Sequence, residues 1–236
     1  MGELTESGNG ERGLDRAAQD EIAAGSHQRA ARAQADGVFD VEIAPMEIPQ
    51  RKGDPVVVSK DEGVRADTTA ETLAGLRPAF AKEGTITAGN ASPLSDGAAA
   101  VIVTSRAYAE ERGLQILATV GAPGQTAGPK DSQLHSQPSD AIKAALSTQG
   151  LEVKDLDFIE INEAFAAVSL QSLKDLDYSA EHCNVNGGAI ALGHPIGASG
   201  ARLALTAAHE LNRRGSGRAA VALCGGGGQG EALVLF

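Results

Sequence analysis

The first third of the chain shows only a weak alternation of apolar and polar positions, which predicts short elements separated by polar turns. A polar lead-in over residues 1–10 precedes a stripe of small apolar residues at helical spacing. Asp15 is typical of a helix N-cap and Gly37 of a helix end, and together they bound one predicted helix. Three more short elements are predicted: a strand over residues 38–48, a strand over 56–59 and a helix from about 68 to 76.

From residue 96 onward, the pattern changes to apolar strands that alternate with helices. Six consecutive apolar residues over 98–103 predict a strand that is buried on both faces. The other predicted elements are helices over 106–112 and 139–149, a strand over 156–161, helices over 163–173 and 201–213, and strands over 219–223 and 232–236. This alternation predicts an α/β fold in which helices pack against a layered sheet.

Composition and charge exclude several classes of protein. The 236 residues are 42% hydrophobic and 22% charged, which is ordinary for a globular protein. The formal net charge of −11 argues against a surface for nucleic acid or anionic membranes. Two cysteines without zinc-type spacing predict neither a disulfide framework nor a metal site. The apolar runs are too short to span a bilayer and the first residues lack an apolar signal core, so we expect a cytoplasmic protein.

Three segments carry the candidate chemistry, and each follows a predicted strand or leads into a predicted helix. They are Asn162-Glu163-Ala164-Phe165, the glycine-rich run over 186–200 that contains His194, and Cys224-Gly225-Gly226-Gly227-Gly228-Gln229-Gly230. Binding sites of open α/β sheets collect at the carboxyl ends of strands. His194 stands between glycine and proline on a constrained turn, which favours a catalytic histidine. The alternative, a histidine that only bonds backbone carbonyls in a tight turn, stays open.

The last segment also matches the GxGxxG pattern of dinucleotide-binding proteins, but its context does not. Only a predicted strand follows it, so no helix remains to receive a pyrophosphate. The glycines fit better as backbone N–H donors for an oxyanion, with Cys224 as a thiol acid or base or as a buried structural residue. Asn162 could cap a helix or orient a water or carbonyl, and Glu163 would favour a helix N-terminus through the dipole. We expect His27 to be solvated.

These three segments, in this order, resemble the thiolase family, and acetyl-CoA acetyltransferases in particular. Earlier stretches agree with the resemblance: Ser26-His27-Gln28-Arg29-Ala30, Leu76-Arg77-Pro78-Ala79-Phe80 and Thr87-Ala88-Gly89-Asn90-Ala91-Ser92. The resemblance covers essentially the whole chain. It implies a thiolase-like fold, namely the C-terminal half of that fold preceded by part of its α+β loop region.

By matched position, the resemblance also implies the catalytic roles. Cys224 corresponds to the acid/base cysteine that exchanges a proton with the α-carbon of the acyl-CoA. His194 corresponds to the histidine that activates the nucleophilic cysteine and polarises a thioester oxygen. Asn162 anchors a water in that oxyanion hole, and the N–H of Gly226 contributes to the second hole. An enolate formed near neutral pH requires such a base and such donors.

The resemblance further implies how coenzyme A would bind as a substrate, with no cofactor besides it. Arg65 and Thr72 would contact the adenine end, and Ala88, Ser92 and Phe165 would line the pantetheine path. The partners implied are CoA and acyl-CoA, without nucleic acid or membrane, and a homo-oligomer once an N-terminal half completes the fold. Departures at Pro93 and over 134–138, including His135, leave the acyl-chain length open.

One departure concerns the nucleophile, which the family carries in an N-terminal Cys-Ser-Ser-Gly-like motif that has no match here. We therefore expect residues 1–94 to be part of the loop region, 95–236 to be the C-terminal domain, and a large apolar face to be exposed. The expected function is thiolase-type acyl transfer: Claisen condensation of acyl-CoA or thiolytic cleavage of 3-ketoacyl-CoA. Without the nucleophile, we expect the chain alone to be inactive. The alternative is a non-catalytic CoA-thioester-binding module or a truncated gene product.

Overall fold

A computed structural model describes residues 1–128 and 133–236, which form a mixed α/β structure. The helices of this part are α1 (Gly2–Asn9), α2 (Arg16–Ala35), α3 (Ala70–Ala74), α4 (Arg106–Glu111), α5 (Gln137–Thr148), α6 (Ala166–Leu176), α7 (Ala189–Leu192) and α8 (Ser199–Arg214). The strands are β1 (Met46–Ile48), β2 (Val56–Val58), β3 (Val120–Ala127), β4 (Phe158–Ile161), β5 (Ala219–Gly225) and β6 (Gln229–Leu235). None of the described helices is both long and apolar enough to cross a membrane.

The main sheet has four strands in the order β3-β6-β5-β4. Strands β4 and β5 run parallel, with Ile161 opposite Ala222, whereas the other neighbours are antiparallel. All four residues of β4 are buried, as expected for a strand covered on both faces. The parallel pair brings the carboxyl ends of β4 and β5 to the same edge of the sheet.

Helices cover both faces of this sheet. Alternate residues of a strand point to opposite faces, so Ile159 and Ile161 join the core beneath α5 and α6. Phe158 points the other way and packs with Leu203 and Leu211 of α8. The predicted layered α/β arrangement is therefore confirmed.

Helix α2 is the longest element and packs beside the sheet against α3, α6 and α7. The Asp15 side chain caps it by accepting a hydrogen bond of 2.7 Å from the N–H of Ala18, as its sequence predicted. Gly37 follows the helix with a φ of 70°, a left-handed conformation that glycine adopts without steric cost. Ala23 of α2, Ala166 of α6 and Ile190 of α7 form the shared core.

Three elements escaped the sequence pattern, and one of them is the short helix α7 within the glycine-rich run over 186–200. The expected polar lead-in is helix α1, which is anchored because Glu6 accepts hydrogen bonds of 2.8 Å from the N–H groups of Thr85 and Ile86. Strand β3 contains Pro123 and two glycines, residues that are rare in strand interiors. Among the described strands it pairs only with β6, at the edge of the sheet, and Gly124 lets it lie directly against the α5 backbone.

Three predicted elements were wrong. Residues 98–103 form no strand, and the side chains of Ile102 and Val103 are 90% and 73% exposed. An apolar run makes a buried strand only where neighbouring strands pair with it, and none does so in the described part of the chain. Over residues 38–48, a 3-10 turn at Val38–Val41 precedes a strand of only three residues. Helix α6 begins at Ala166 rather than at Glu163.

Candidate active site

The candidate site begins at the carboxyl edge of β4 and β5. Asn162 follows β4 directly, and its N–H donates a 2.9 Å hydrogen bond to the carbonyl of Ala222 in β5. Cys224 lies two residues further along β5, near the same edge. Parallel pairing therefore brings two predicted site residues, 62 positions apart in the sequence, to one edge of the sheet.

His194 reaches this edge from the loop between α7 and α8. Its Nδ1 lies 2.6 Å from the Oγ of Ser199, and its Nε2 lies 3.3 Å from the Nδ2 of Asn162. Because the Ser199 hydroxyl donates to the carbonyl of Pro195 at 3.0 Å, this network assigns the proton to Nδ1 of His194. Nε2 is then an acceptor that faces the amide of Asn162.

The electrostatic surroundings favour a neutral imidazole at His194. Burial lowers its pKa, and the nearby positive charge of Arg202 lowers the pKa further. A histidine that is neutral near pH 7 can accept a proton from a thiol or from another reacting group. The alternative in which backbone carbonyls alone satisfy His194 does not fit, since both ring nitrogens face side chains.

Cys224 is buried beneath apolar side chains. It packs with Leu134 and Val168, and Ala164 and Phe165 lie against the same cluster. Burial raises the pKa of its thiol to about 12. The resting form is therefore the protonated thiol, a group that can donate a proton but that requires a base before it can accept one.

Gly226 lies in the tight turn between β5 and β6. Gly227 and Gly228 adopt positive φ angles of 93° and 77°, conformations that favour glycine. Gly226 is exposed, and a Cβ atom built on it meets no atom within 4 Å. Its backbone is therefore accessible to a ligand. The turn leads into β6 and not into a helix, which agrees with the rejection of a dinucleotide site.

Glu163 has a different environment from the helix N-terminus that its sequence predicted. Asn162 is not a helix cap, because Phe165 occupies the N-cap of α6, and Glu163 therefore lies before this helix rather than in its first turn. Its buried carboxylate accepts hydrogen bonds from the Ser26 hydroxyl at 2.6 Å, the Asn184 amide at 2.8 Å and the Ile190 N–H at 3.0 Å. Burial raises the pKa of Glu163, whereas these hydrogen bonds oppose that rise. The residue ties α2 and α7 to the end of β4, which holds the loop that carries His194.

The predicted pantetheine residues lie beside the thiol. Ser92 donates from both its N–H and its hydroxyl to the carbonyl of Ala164, each at 3.1 Å. Ala91 and Phe165 form an isolated β-bridge, so the two segments run side by side. The ring of Phe165 stands edge-on to that of Phe80, with 6.1 Å between centroids. The structure thus brings Ser92 and Phe165 next to the cluster that contains Cys224.

The other predicted CoA residues lie on the surface. Arg65, Thr72 and Ala88 are exposed. The Thr72 hydroxyl is engaged in the capping box of α3, where it accepts from the N–H of Thr69 at 3.0 Å. The N–H of Arg65 donates to Nδ1 of His27 at 3.2 Å. His27 is buried and burial lowers its pKa, so the expectation that it is solvated was wrong.

Two remaining polar residues are structural. Cys183 is buried, with a pKa raised by burial and by nearby carboxylates, which does not favour a nucleophile. His135 is also buried, with its Nε2 2.8 Å from the Oδ1 of Asn9 and its carbonyl accepting from Ser172. It joins α1 to the segment before α5.

Within residues 1–128 and 133–236, no group of three or more His, Cys, Asp or Glu side chains could hold a metal ion.

Comparisons with known proteins extend this picture. The family model for the thiolase N-terminal domain matches residues 1–107, and that for the thiolase C-terminal domain matches residues 114–236. A probable acetyl-CoA acetyltransferase of Mycolicibacterium smegmatis is 64% identical over 235 residues, which are 100% of this chain and 60% of the relative. An acetyl-CoA acetyltransferase of Cupriavidus necator is 49% identical over the same shares of both chains.

Solved structures agree. The crystal structure of the Bacillus anthracis acetyl-CoA acetyltransferase is 45% identical with a TM-score of 0.94, and the match covers 100% of this chain and 59% of that one. The human mitochondrial 3-ketoacyl-CoA thiolase in complex with CoA is 39% identical with a TM-score of 0.91, covering 98% and 57%. The chain thus spans about 60% of the length of the relatives it matches. On these matches, the chain belongs to the thiolase family.

Proposed function

We propose that this chain supplies the acid/base half of a thiolase site that interconverts two acyl-CoA molecules with a 3-ketoacyl-CoA and CoA, with acetyl-CoA C-acetyl transfer as the reaction. The observation that carries the proposal is that three residues meet at the shared edge of β4 and β5. Asn162 lies 3.3 Å from His194 and bonds to Ala222 of β5, and Cys224 lies two residues beyond Ala222. In this proposal the neutral Cys224 thiol donates a proton to the enolate during cleavage and recovers it during condensation. The N–H of Gly226 donates to one oxyanion. His194 donates to the other from Nε2 once it has accepted a proton there, and Asn162 anchors a water beside it.

The proposal takes the nucleophilic thiol from a segment outside this chain, since Cys183 and Cys224 are both buried with raised pKa values. CoA would approach along the surface past Arg65, Thr72 and Ala88. Its pantetheine arm would enter between Ser92 and Phe165, which lead to the apolar cluster around the thiol. The human thiolase of similar fold was solved with CoA, which supports this class of substrate.

The test joins this chain to the part of the Mycolicibacterium smegmatis relative that the chain does not cover. We expect CoA-dependent cleavage of acetoacetyl-CoA by this chimera, and we expect Cys224→Ala to reduce kcat at least about 100-fold, since acid/base groups contribute on that order. Cys183→Ala is the matched control and should retain activity. If Cys224→Ala leaves turnover unaltered, the assignment of the acid/base is wrong.

The chain itself can be tested for CoA by calorimetry, without any turnover. We expect binding that Arg65→Ala weakens, while Arg112→Ala, which removes another exposed cation, at the C-cap of α4, changes nothing. The alternative function, a non-catalytic module for CoA thioesters, rests on the missing match to the nucleophile motif. Binding by the chain together with an inactive chimera would favour that alternative.

A further inference from the structure

Strand β4 and the residue after it place three alternate side chains on the face of the sheet that α8 covers. Phe158, Glu160 and Asn162 alternate along the strand and therefore share one face. Phe158 lies at the far end, where it packs with Leu211 and where the guanidinium of Arg214 lies 4.6 Å from its ring centroid. Asn162 lies at the near end, beside His194. Glu160 is the residue between the apolar packing and the candidate site.

Glu160 faces Arg202, whose side chain is 22% exposed although its terminal nitrogens are buried. Nη1 of Arg202 lies 3.7 Å from Oε2 of Glu160, and the carboxyl is fully buried. Within the described residues, neither carboxyl oxygen and neither terminal guanidinium nitrogen has a hydrogen-bond partner. Burying such groups without hydrogen bonds costs several kcal/mol, and apolar residues of similar size are often as stable or more so. The pair is therefore not explained by a contribution to stability.

The position of the Glu160–Arg202 pair relates it to the candidate site instead. Glu160 precedes Asn162 by two residues on one face of β4, and Arg202 follows Ser199, the partner of His194, by nearly one turn of α8. The pair thus adjoins Asn162 along the chain of β4 and Ser199 along α8. Because His194 contacts Ser199 at the start of α8, the distance of 3.3 Å between Asn162 and His194 links the end of β4 to the start of α8.

We propose that Glu160 and Arg202 are positioning residues, which hold the end of β4 against the start of α8 and place a positive charge behind His194. The proposal deepens the function given above and rests on it for its catalytic meaning. Its structural part concerns only this chain. The pair acts through Asn162 and His194 and touches no reacting atom.

Among the charged groups around Glu160, Arg202 has the largest effect on its pKa. Burial raises the pKa of Glu160 to about 8, and Arg202 opposes that rise. The other charged groups that raise this pKa, all acidic, are Glu163, Glu42 and Glu210. Near pH 7 the Glu160 carboxyl is consequently mostly protonated, so the guanidinium is the net charge behind His194. The same guanidinium adds to the lowering of the His194 pKa by burial, and it opposes the rise that burial causes in the pKa values of Glu42, Asp61 and Glu163.

The first test measures the pKa of His194 in this chain. The titration of the imidazole is monitored by ¹H–¹³C NMR, and the His194→Gln variant identifies the signal of His194. We expect Arg202→Met to raise that pKa by roughly half a pH unit or more. Glu160→Gln should leave it unchanged, because the native carboxyl is already protonated where His194 titrates. Arg213→Met removes a cation from the same helix that pairs with Glu210 instead, and it should have no effect.

The double variant Glu160→Met/Arg202→Met covers the case in which Arg202→Met fails to fold, because it removes both buried groups together. It should fold and should show the same rise in the pKa of His194. If it folds and the pKa of His194 stays at the native value, the proposal is overturned and the pair is structural only.

The second test uses the active chimera and separates kcat from KM. We expect the double variant to lower kcat at least about 10-fold with little change in KM for acetoacetyl-CoA, since no substrate contact is removed. An unchanged kcat across pH 6–9 would contradict the positioning role. A chimera that is inactive even with the native residues would refute the proposed function, and it would leave the NMR result on His194 as it stands.

Discussion

At the scale of single residues, Glu163 links the sequence motif to the fold. Its position within Asn162-Glu163-Ala164-Phe165 predicted a favourable interaction with a helix N-terminus, but its carboxylate receives three hydrogen bonds from α2, from the Asn184 segment and from α7. A side chain that joins three segments cannot be recognised from local sequence, because its partners lie 21 to 137 positions away. We regard it as the residue that fixes the loop of His194.

We therefore expect Glu163→Ala to lower the free energy of unfolding by about 3 kcal/mol, because three buried donors lose their acceptor. The measurement is urea denaturation followed by far-UV circular dichroism, since the chain has no tryptophan. Glu83→Ala removes an exposed carboxylate and serves as the control, with an expected change within roughly 0.5 kcal/mol. Equal losses in both variants would contradict this role of Glu163.

Glu160 predicts a pH dependence of stability. Its pKa in the folded chain is about 8, above the ordinary value of 4.5, so the folded state binds this proton more tightly than the unfolded state does. The stability that this group contributes is present below pH 4.5 and is lost as the pH rises from 4.5 towards 8. Glu160→Gln should remove this loss. The difference in Tm between the Glu160→Gln variant and the native chain should therefore increase as the pH rises from 4.5 towards 8. A constant difference in Tm would contradict the raised pKa of Glu160.

At the scale of elements, close backbone contacts position the sheet. Strand β3 packs on α5 through Gly124, where an added Cβ would overlap the backbone of Ala141 and Ala145. We expect Gly124→Ala to destabilise the chain by about 2 kcal/mol, because β3 or α5 must shift. Gly10→Ala is the control, since it meets no atom within 4 Å and its backbone is right-handed helical. The test compares the Tm of the two variants in thermal unfolding. Equal Tm values would show that β3 is not packed against α5 as described.

At the scale of the whole molecule, the described chain exposes an apolar segment that sequence reasoning placed in the core. Leu94, Ile102 and Val103 are largely exposed. Exposed apolar side chains agree with the expectation of an uncovered apolar face, and the chain spans about 60% of the length of its relatives.

This exposure gives a direct test. Ile102→Lys should change the free energy of unfolding by less than roughly 0.5 kcal/mol, because the side chain is solvated. It should also reduce concentration-dependent self-association in sedimentation velocity. Ile159→Lys, on a fully buried position of β4, should abolish folding. A large loss of stability from Ile102→Lys would mean that residues 98–103 are packed in solution.

The sequence by itself determined the family, the α/β alternation after residue 136 and most helix ends, because caps, glycine stops and apolar periodicity act over a few residues. It also singled out Asn162 at the end of a predicted strand, and His194 and Cys224 beside glycine or proline at turns. Their catalytic roles and the domain boundary near residue 95 stay predictions. Only the tertiary structure decided that Glu163 and Glu160–Arg202 lie behind the site, that β3 is a strand and that residues 98–103 are not buried. Each of these depends on partners far away in the sequence, and burial and pairing are properties of the neighbours as much as of the segment itself.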